Sequence, residues 1–395
     1  MRDTLPPLSA WTSGLVATAV GFGGTIALVV QAIRGMGATV EQTGSAITAL
    51  CLGIAVTGAA LSLRLRIPVV LAWSTPGAAL LVTAPPTSWS VACGAFLLAG
   101  LIGVAVGAVP FLSRLAGAIP PPVASAMLAG VLLPFGLGTF HQANVDPFFV
   151  LLLCAIFVAA RQRVPLYALL LVLAVGIGVT LLRGDLGVLP PGATFGSLVP
   201  VRPAIDAGAI LGIAVPLFVV TLVSQNLPGI AVLQLAGYNP RPAPLLVGTG
   251  LASMAAAPFG AHAINLAAIT AALCTGADAD PDKDRRWRVG LIYAGFYLLL
   301  AIFAPVLVRT FLALPHTAIA VLTGLAIIPP LTGALEAMLA SRDHRDATIL
   351  TLLVTASGLT LGGIGAAFWG VAAGLGTIGI ARLLRRRPAA PAIGG

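Results

Sequence analysis

Residues 291–307 read Leu-Ile-Tyr-Ala-Gly-Phe-Tyr-Leu-Leu-Leu-Ala-Ile-Phe-Ala-Pro-Val-Leu, an apolar stretch without a single charge. With its flanks it supplies the ~20 apolar residues that cross a hydrocarbon core as a helix. A membrane β-barrel would instead show short segments of alternating character. The rest of the chain agrees. Of 395 residues, 58% are hydrophobic and only 8% charged, against about 25% charged in a soluble domain. So little charge cannot cover a water-exposed surface, and the solvent for this chain is lipid.

Breaks at Pro, Gly and polar clusters divide the sequence on either side of that stretch into fourteen segments. They are expected near 10–33, 41–63, 67–83, 88–112, 119–139, 145–160 and 165–182, then 205–225, 242–256, 258–275, 287–312, 315–338, 346–361 and 363–384. With both termini on one side, that side holds 17 of the 21 Lys and Arg residues and the other holds only Arg34, Arg183, Arg202 and Arg309. The positive-inside rule makes the basic side cytoplasmic and requires an even number of spans. The net charge of +9 lies in short loops, which argues against a nucleic-acid partner. Cys51, Cys93, Cys154 and Cys274 follow no metal-ligand spacing and read as small packing residues. Met1–Trp11 lacks a small-residue cleavage site, so the first helix is expected to be retained.

The chain contains an internal match. Ile119-Pro120, Pro134 and Gly138 recur as Leu314-Pro315, Pro329 and Gly333 at an offset of 195, and Pro68 and Pro258 open the third and tenth segments at an offset of 190. Two halves, 1–182 and 205–384, each with an odd number of spans, must lie inverted relative to one another. That arrangement is common in secondary transporters, which bind substrate where helices are interrupted at the midplane.

Two interruptions correspond. Ala72-Trp73-Ser74-Thr75-Pro76-Gly77 and Pro258-Phe259-Gly260-Ala261-His262-Ala263-Ile264-Asn265-Leu266 each place irregular polar sequence before an apolar run. Thr75 reads as an N-cap and Pro76 suits the first turn. Helix N-termini after Thr75 and His262 would direct N–H groups at one point, an anion site without a cationic side chain. Ser74 and Thr75 could equally be caps alone, and Trp73 an interfacial aromatic. All twelve carboxylates lie in loops or near segment ends, which argues against a cationic substrate. His262 is the single histidine in a broken region and the one group there that titrates near neutrality; simple packing is its other reading. Asn265, three residues on, would share its helical face. Gln225 and Asn226 precede Pro228-Gly229 and are costly in lipid unless they line a cavity. Gly21-Phe22-Gly23-Gly24-Thr25 offers a close-approach surface beside one aromatic ring, or plain small-residue helix packing.

These stretches, with Ser224-Gln225-Asn226-Leu227-Pro228-Gly229 and the run from Pro258 to Thr270, resemble the benzoate–proton symporter (BenE) family along essentially the whole chain. The resemblance implies an all-α membrane fold related to nucleobase transporters, with two inverted seven-segment repeats and short extended stretches in the third and tenth segments. It implies a core domain (segments 1–4 and 8–11, about 10–112 and 205–312) moving against a gate domain (segments 5–7 and 12–14, about 119–182 and 315–384). It also implies proton-coupled import of benzoate across the bacterial inner membrane. Gly23-Gly24 and Ala261 depart from the family's usual residues.

The expected contact set is Phe22, Thr25, Trp73, Ser74, Thr75, Gln225, Asn226, Phe259, His262 and Asn265, with His262 as the proton-coupling candidate. No cofactor, metal or catalytic group is expected, and a homodimer is one candidate assembly. The rivals are transport of sulfate or a dicarboxylate, for which the aromatic rings would have no use, and of a nucleobase, for which membrane carboxylates would be expected.

Overall fold

The computed structural model describes residues 5–112, 120–340 and 344–385. Ile119, which opens the internal match, lies outside them, as do Arg2, Asp3, Arg114, Arg342, Asp343, Arg386 and Arg387. The described chain is mostly α-helical, and 10 of its helices are long and apolar enough to cross a membrane.

In chain order the elements are α1 (Leu8–Gly23), α2 (Ile26–Gly35), α3 (Val40–Leu65), β1 (Leu71–Trp73), α4 (Thr75–Val82) and α5 (Trp89–Ala108). Next come α6 (Pro121–His141), α7 (Pro147–Arg163) and α8 (Ala168–Arg183), then α9 (Ala207–Leu235). The chain continues with α10 (Pro242–Ala256), β2 (Ile264–Leu266), α11 (Ile269–Thr275), α12 (Trp287–Leu312), α13 (His316–Leu339), α14 (Arg345–Ala356) and α15 (Ala366–Arg385).

The helices pack in two groups. In one, α3 lies along α12, α5 along α10, and α1 against α12 and α11. In the other, α6 lies along α13 and α14, α14 along α15, and α7 along α8. Lipid supplies no hydrophobic drive between helices, so close backbone approach through small residues must hold them. The α5–α10 seam shows this: a Cβ on Gly250 would fall 2.7 Å from the Val104 backbone nitrogen.

Several expected boundaries are corrected. The first segment is not continuous, because α1 stops at Gly23 and α2 restarts at Ile26. Thr25 sits in the break with φ −135° and ψ −3°, and its hydroxyl bonds back to Gly21 O at 2.9 Å. The eighth segment does not end near residue 225 but runs on to Leu235. Proline inside a helix loses one hydrogen bond and clashes with the carbonyl four residues back. Here π turns at Ile210–Ala214 and Leu222–Asn226 widen the helix where Pro216 and Pro228 demand it. The tenth segment is an extended strand at Ile264–Leu266, and its helix begins only at Ile269, seven residues past His262. His262 and Asn265 therefore share no helical face.

β1 and β2 pair antiparallel, with Leu71 opposite Leu266, Ala72 opposite Asn265 and Trp73 opposite Ile264. Extended backbone inside a membrane protein survives only if every polar group finds a partner. Beyond the pair itself, Ala267 N donates to Val70 O and Ser74 N to Ala263 O. Ile264 N donates to Ser253 Oγ at 2.9 Å, and Leu266 N to Asn226 Oδ1 at 3.0 Å. The Tyr293 hydroxyl donates to Leu71 O at 2.8 Å. The chain enters β2 through Gly260 at φ +91°, where a Cβ would lie 2.4 Å from the Trp89 ring, so both conformation and space call for glycine.

Candidate functional site

A cavity of about 420 Å³ separates the two helix groups. One wall is built from the interruptions: Gly21 and Thr25 at the α1–α2 break, Ala72 and Trp73 of β1, Thr75 and Pro76 opening α4, Ser224 and Gln225 in a π turn of α9, and Ala267, Ala268 and Thr270 between β2 and α11. The facing wall comes from the second group: Ser125 and Leu128 of α6, Phe157 and Arg161 of α7, Leu169 of α8, and Ala326, Pro329, Pro330 and Gly333 of α13.

Trp73 is held from three sides. Its indole Nε1 donates to Thr25 Oγ1 at 2.8 Å. The Phe22 ring lies 5.2 Å away centroid to centroid, and Tyr297 lies 6.5 Å away, edge to face. Tyr297 in turn contacts Tyr293 at 4.9 Å. Aromatic pairs at these distances rigidify one another, so the indole face in the cavity is a fixed surface.

The capping residue is Ser74, not Thr75. Ser74 Oγ accepts from Gly77 N at 3.0 Å and from the Thr221 hydroxyl at 2.9 Å, and Ser74 O accepts from Ala78 N. Thr75, the first residue of α4, lines the cavity, and its amide is one of the N–H groups that a helix N-terminus leaves without an intrahelical partner. Ser74 is fully buried and contributes no lining surface. The reason is steric: as the junction between β1 and α4, Ser74 must turn inward to cap, which turns Thr75 outward.

Four of the ten expected contact residues, Thr25, Trp73, Thr75 and Gln225, line the cavity, and the other six do not. Phe22 is buried behind Trp73. Asn226 is committed to Leu266 N. Asn265 is buried in β2, and its Nδ2 donates to Leu266 O at 2.9 Å. Phe259 sits in a short 3₁₀ turn, its carbonyl accepting from Ser45 Oγ at 3.2 Å. His262 is fully buried. Its Nε2 is 3.0 Å from Ser74 O, so that nitrogen carries the proton and donates, while Nδ1 has no protein partner. His262 lines a separate cavity of about 30 Å³ with Thr221, Asn226 and Ser253, room for about one water.

Sequence reasoning missed the whole facing wall. Ser125, Phe157 and Arg161 carry no local signal, whereas Pro329-Pro330 in mid-segment was a visible irregularity. The tyrosine brace was readable as two tyrosines four apart in an apolar run.

The sequence model described as benzoate membrane transport protein (BenE) matches residues 5–380. The chain is 39% identical over 376 residues to inner membrane protein YdcO of Escherichia coli (strain K12), covering 94% of this chain and 95% of that one. It is 35% identical over 369 residues to the benzoate membrane transport protein of Acinetobacter baylyi (strain ATCC 33305 / BD413 / ADP1), covering 93% and 94%. Among solved structures, the transmembrane domain of the cyanobacterium bicarbonate transporter BicA superposes with a TM-score of 0.60 at 18% identity, covering 93% of this chain and 97% of that chain. SLC26A9 superposes with a TM-score of 0.67 at 13% identity, covering 97% and 66%. At these identities the two structures speak to the fold alone.

Proposed function

Because the chain belongs to the benzoate membrane transport protein (BenE) family, membrane transporters rather than enzymes, we propose that it imports benzoate or a similar aromatic carboxylate across the bacterial inner membrane together with protons. The observation that carries this reading is the cavity wall, where the fixed indole of Trp73 stands beside the free polar groups of Thr75 and Gln225. An aromatic carboxylate lays its ring against Trp73 and turns its oxygens to the Thr75 amide and hydroxyl and the Gln225 side-chain amide. The volume suits a small ligand, since such sites run from about 300 to 1,000 Å³. No carboxylate is among the described lining residues, which suits an anion and leaves a nucleobase without the acceptor it would need. Sulfate or a dicarboxylate would make no use of the indole.

Transport on this reading moves the group of α1–α5 and α9–α12, the core, against that of α6–α8 and α13–α15, the gate, with the cavity between them. Two observations support an inverted repeat of seven and seven segments. The second segment packs on the eleventh while the fourth packs on the ninth, a pattern that exchanging the halves reproduces. Ala72 pairs with Asn265, a separation of 193 residues (265 minus 72), close to the repeat offsets. With the basic face cytoplasmic, the exposed cavity end at Arg161, Pro165 and Ala337 faces the cytoplasm on this reading.

An anion entering a negative-inside cell does work of roughly 2.3 kcal/mol per 100 mV, and one co-transported proton removes it. His262, one residue behind the wall through Ser74, is the proposed carrier, with proton uptake by the substrate itself as the other route. Uptake of radiolabelled benzoate into proteoliposomes tests the function. An imposed inward pH gradient should drive accumulation; equal filling with and without the gradient would refute symport, and no uptake at all would refute benzoate as substrate.

A further inference from the structure

We infer that Arg161 is the electrostatic rim of the substrate cavity, a specificity residue that captures the carboxylate at the cavity mouth and favours anions over neutral ligands of the same shape. This rests on the carboxylate-transport reading above.

Among the described residues lining the 420 Å³ cavity, Arg161 alone is charged. It stands in the last turn of α7, exposed, at the end of the cavity where Pro165, Gly333 and Ala337 are also exposed. Its guanidinium carbon lies 5.8 Å from the centre of the Phe157 ring. Phe157 is itself buried and lines the same cavity, so the ring holds the cation at the rim. No carboxylate of the described residues lies within ion-pair distance of Arg161, which leaves its donors for an incoming anion.

A basic residue at the end of a membrane-spanning helix can also be held by anionic lipid headgroups. Arg163, two residues on and absent from the cavity wall, fits that role. Arg161 differs because it faces a low-dielectric cleft, where one charge concentrates counter-ions more strongly than on an open surface. A planar guanidinium also matches a carboxylate through two parallel N–H donors.

The test is equilibrium binding of radiolabelled benzoate to purified protein in detergent, with uncharged benzamide as the comparison ligand. Arg161→Gln should weaken benzoate binding about tenfold at low ionic strength, the scale of one nearby charge. The gap between variant and wild type should close near 1 M salt, where the screening length is about 3 Å. Benzamide binding should not change, Arg161→Lys should retain most of the benzoate affinity, and Arg163→Gln should bind benzoate as the wild type does. The inference is overturned if Arg161→Gln binds benzoate normally at low salt, if benzamide weakens by the same factor, or if Arg163→Gln matches the loss. A wild-type protein that binds no benzoate at all would overturn the transport reading itself, and the rim role with it.

Discussion

Trp73 Nε1 donates to Thr25 Oγ1 at 2.8 Å across 48 residues of sequence, joining β1 to the point where α1 breaks into α2. That bond explains two irregularities together. The helix break exposes the threonine, and the threonine fixes the rotamer of the aromatic ring that lines the cavity.

Thr25→Val should therefore weaken both the fold and benzoate binding. It removes the acceptor while keeping the shape, leaving an indole N–H without its partner at a cost of about 1–3 kcal/mol. Benzoate affinity should fall by roughly tenfold, and Thr25→Ser should restore it. Isothermal titration of the two variants decides the matter; wild-type affinity in Thr25→Val would remove Thr25 from the site.

Substitutions at the adjacent residues Ser74 and Thr75 should separate stability from binding. Ser74→Ala deletes the α4 cap and the Thr221 partner, and a lost cap costs about 0.5–2 kcal/mol. Its melting temperature should drop. Thr75→Val keeps the cap and alters the cavity wall, so its melting temperature should hold while benzoate affinity falls. Thermal melts and binding run side by side would show the reverse pattern if the roles were exchanged.

His262→Gln addresses coupling. The Nε2 bond to Ser74 O can be replaced by the glutamine amide, whereas a titrating nitrogen cannot. If His262 carries the proton, the variant should still exchange benzoate across proteoliposomes and lose accumulation driven by a pH gradient. Gradient-driven accumulation at wild-type level in the variant assigns the proton to the substrate or to another group.

The loop ahead of α7 offers a pH dependence away from the cavity. Burial pushes the Asp146 carboxyl up, and the hydrogen bonds from Arg183 and Phe149 N outweigh it, so Asp146 sits below its ordinary value. The native state then holds fewer protons than the unfolded one. The contribution is present above the ordinary carboxylate range and is lost as pH falls through that range to the depressed value. Both side chains are partly solvated, at 33% and 27% exposure, so the effect should be small. Asp146→Asn should melt slightly below the wild type at pH 7, and the two curves should converge in acid. A gap that persists at low pH would mean the pair is not its source.

Composition and local pattern were enough to identify the solvent, the element type and the interruptions of the third and tenth segments, but not the break between α1 and α2. A chain with 8% charge must be sheathed in lipid, and runs such as Leu291–Leu307 must be helical there, because only a helix satisfies its own backbone. Pro76 and Pro258 mark those two interruptions for the same local reason, a missing N–H. The tertiary structure decided which polar groups the interruptions present to the cavity. Ser74 and Thr75 are chemically alike and adjacent, yet one caps and the other lines, because β1 pairs with β2 in a register set by residues 193 positions away. His262 and Asn226 are polar in lipid, which reads as function, yet Asn226 is spent on the strand backbone and His262 stands one layer back. The wall bearing Phe157 and Arg161 belongs to helices whose local sequence is ordinary. Its role arises only where α7 and α13 face the broken segments, a matter of packing between distant residues that no local pattern records.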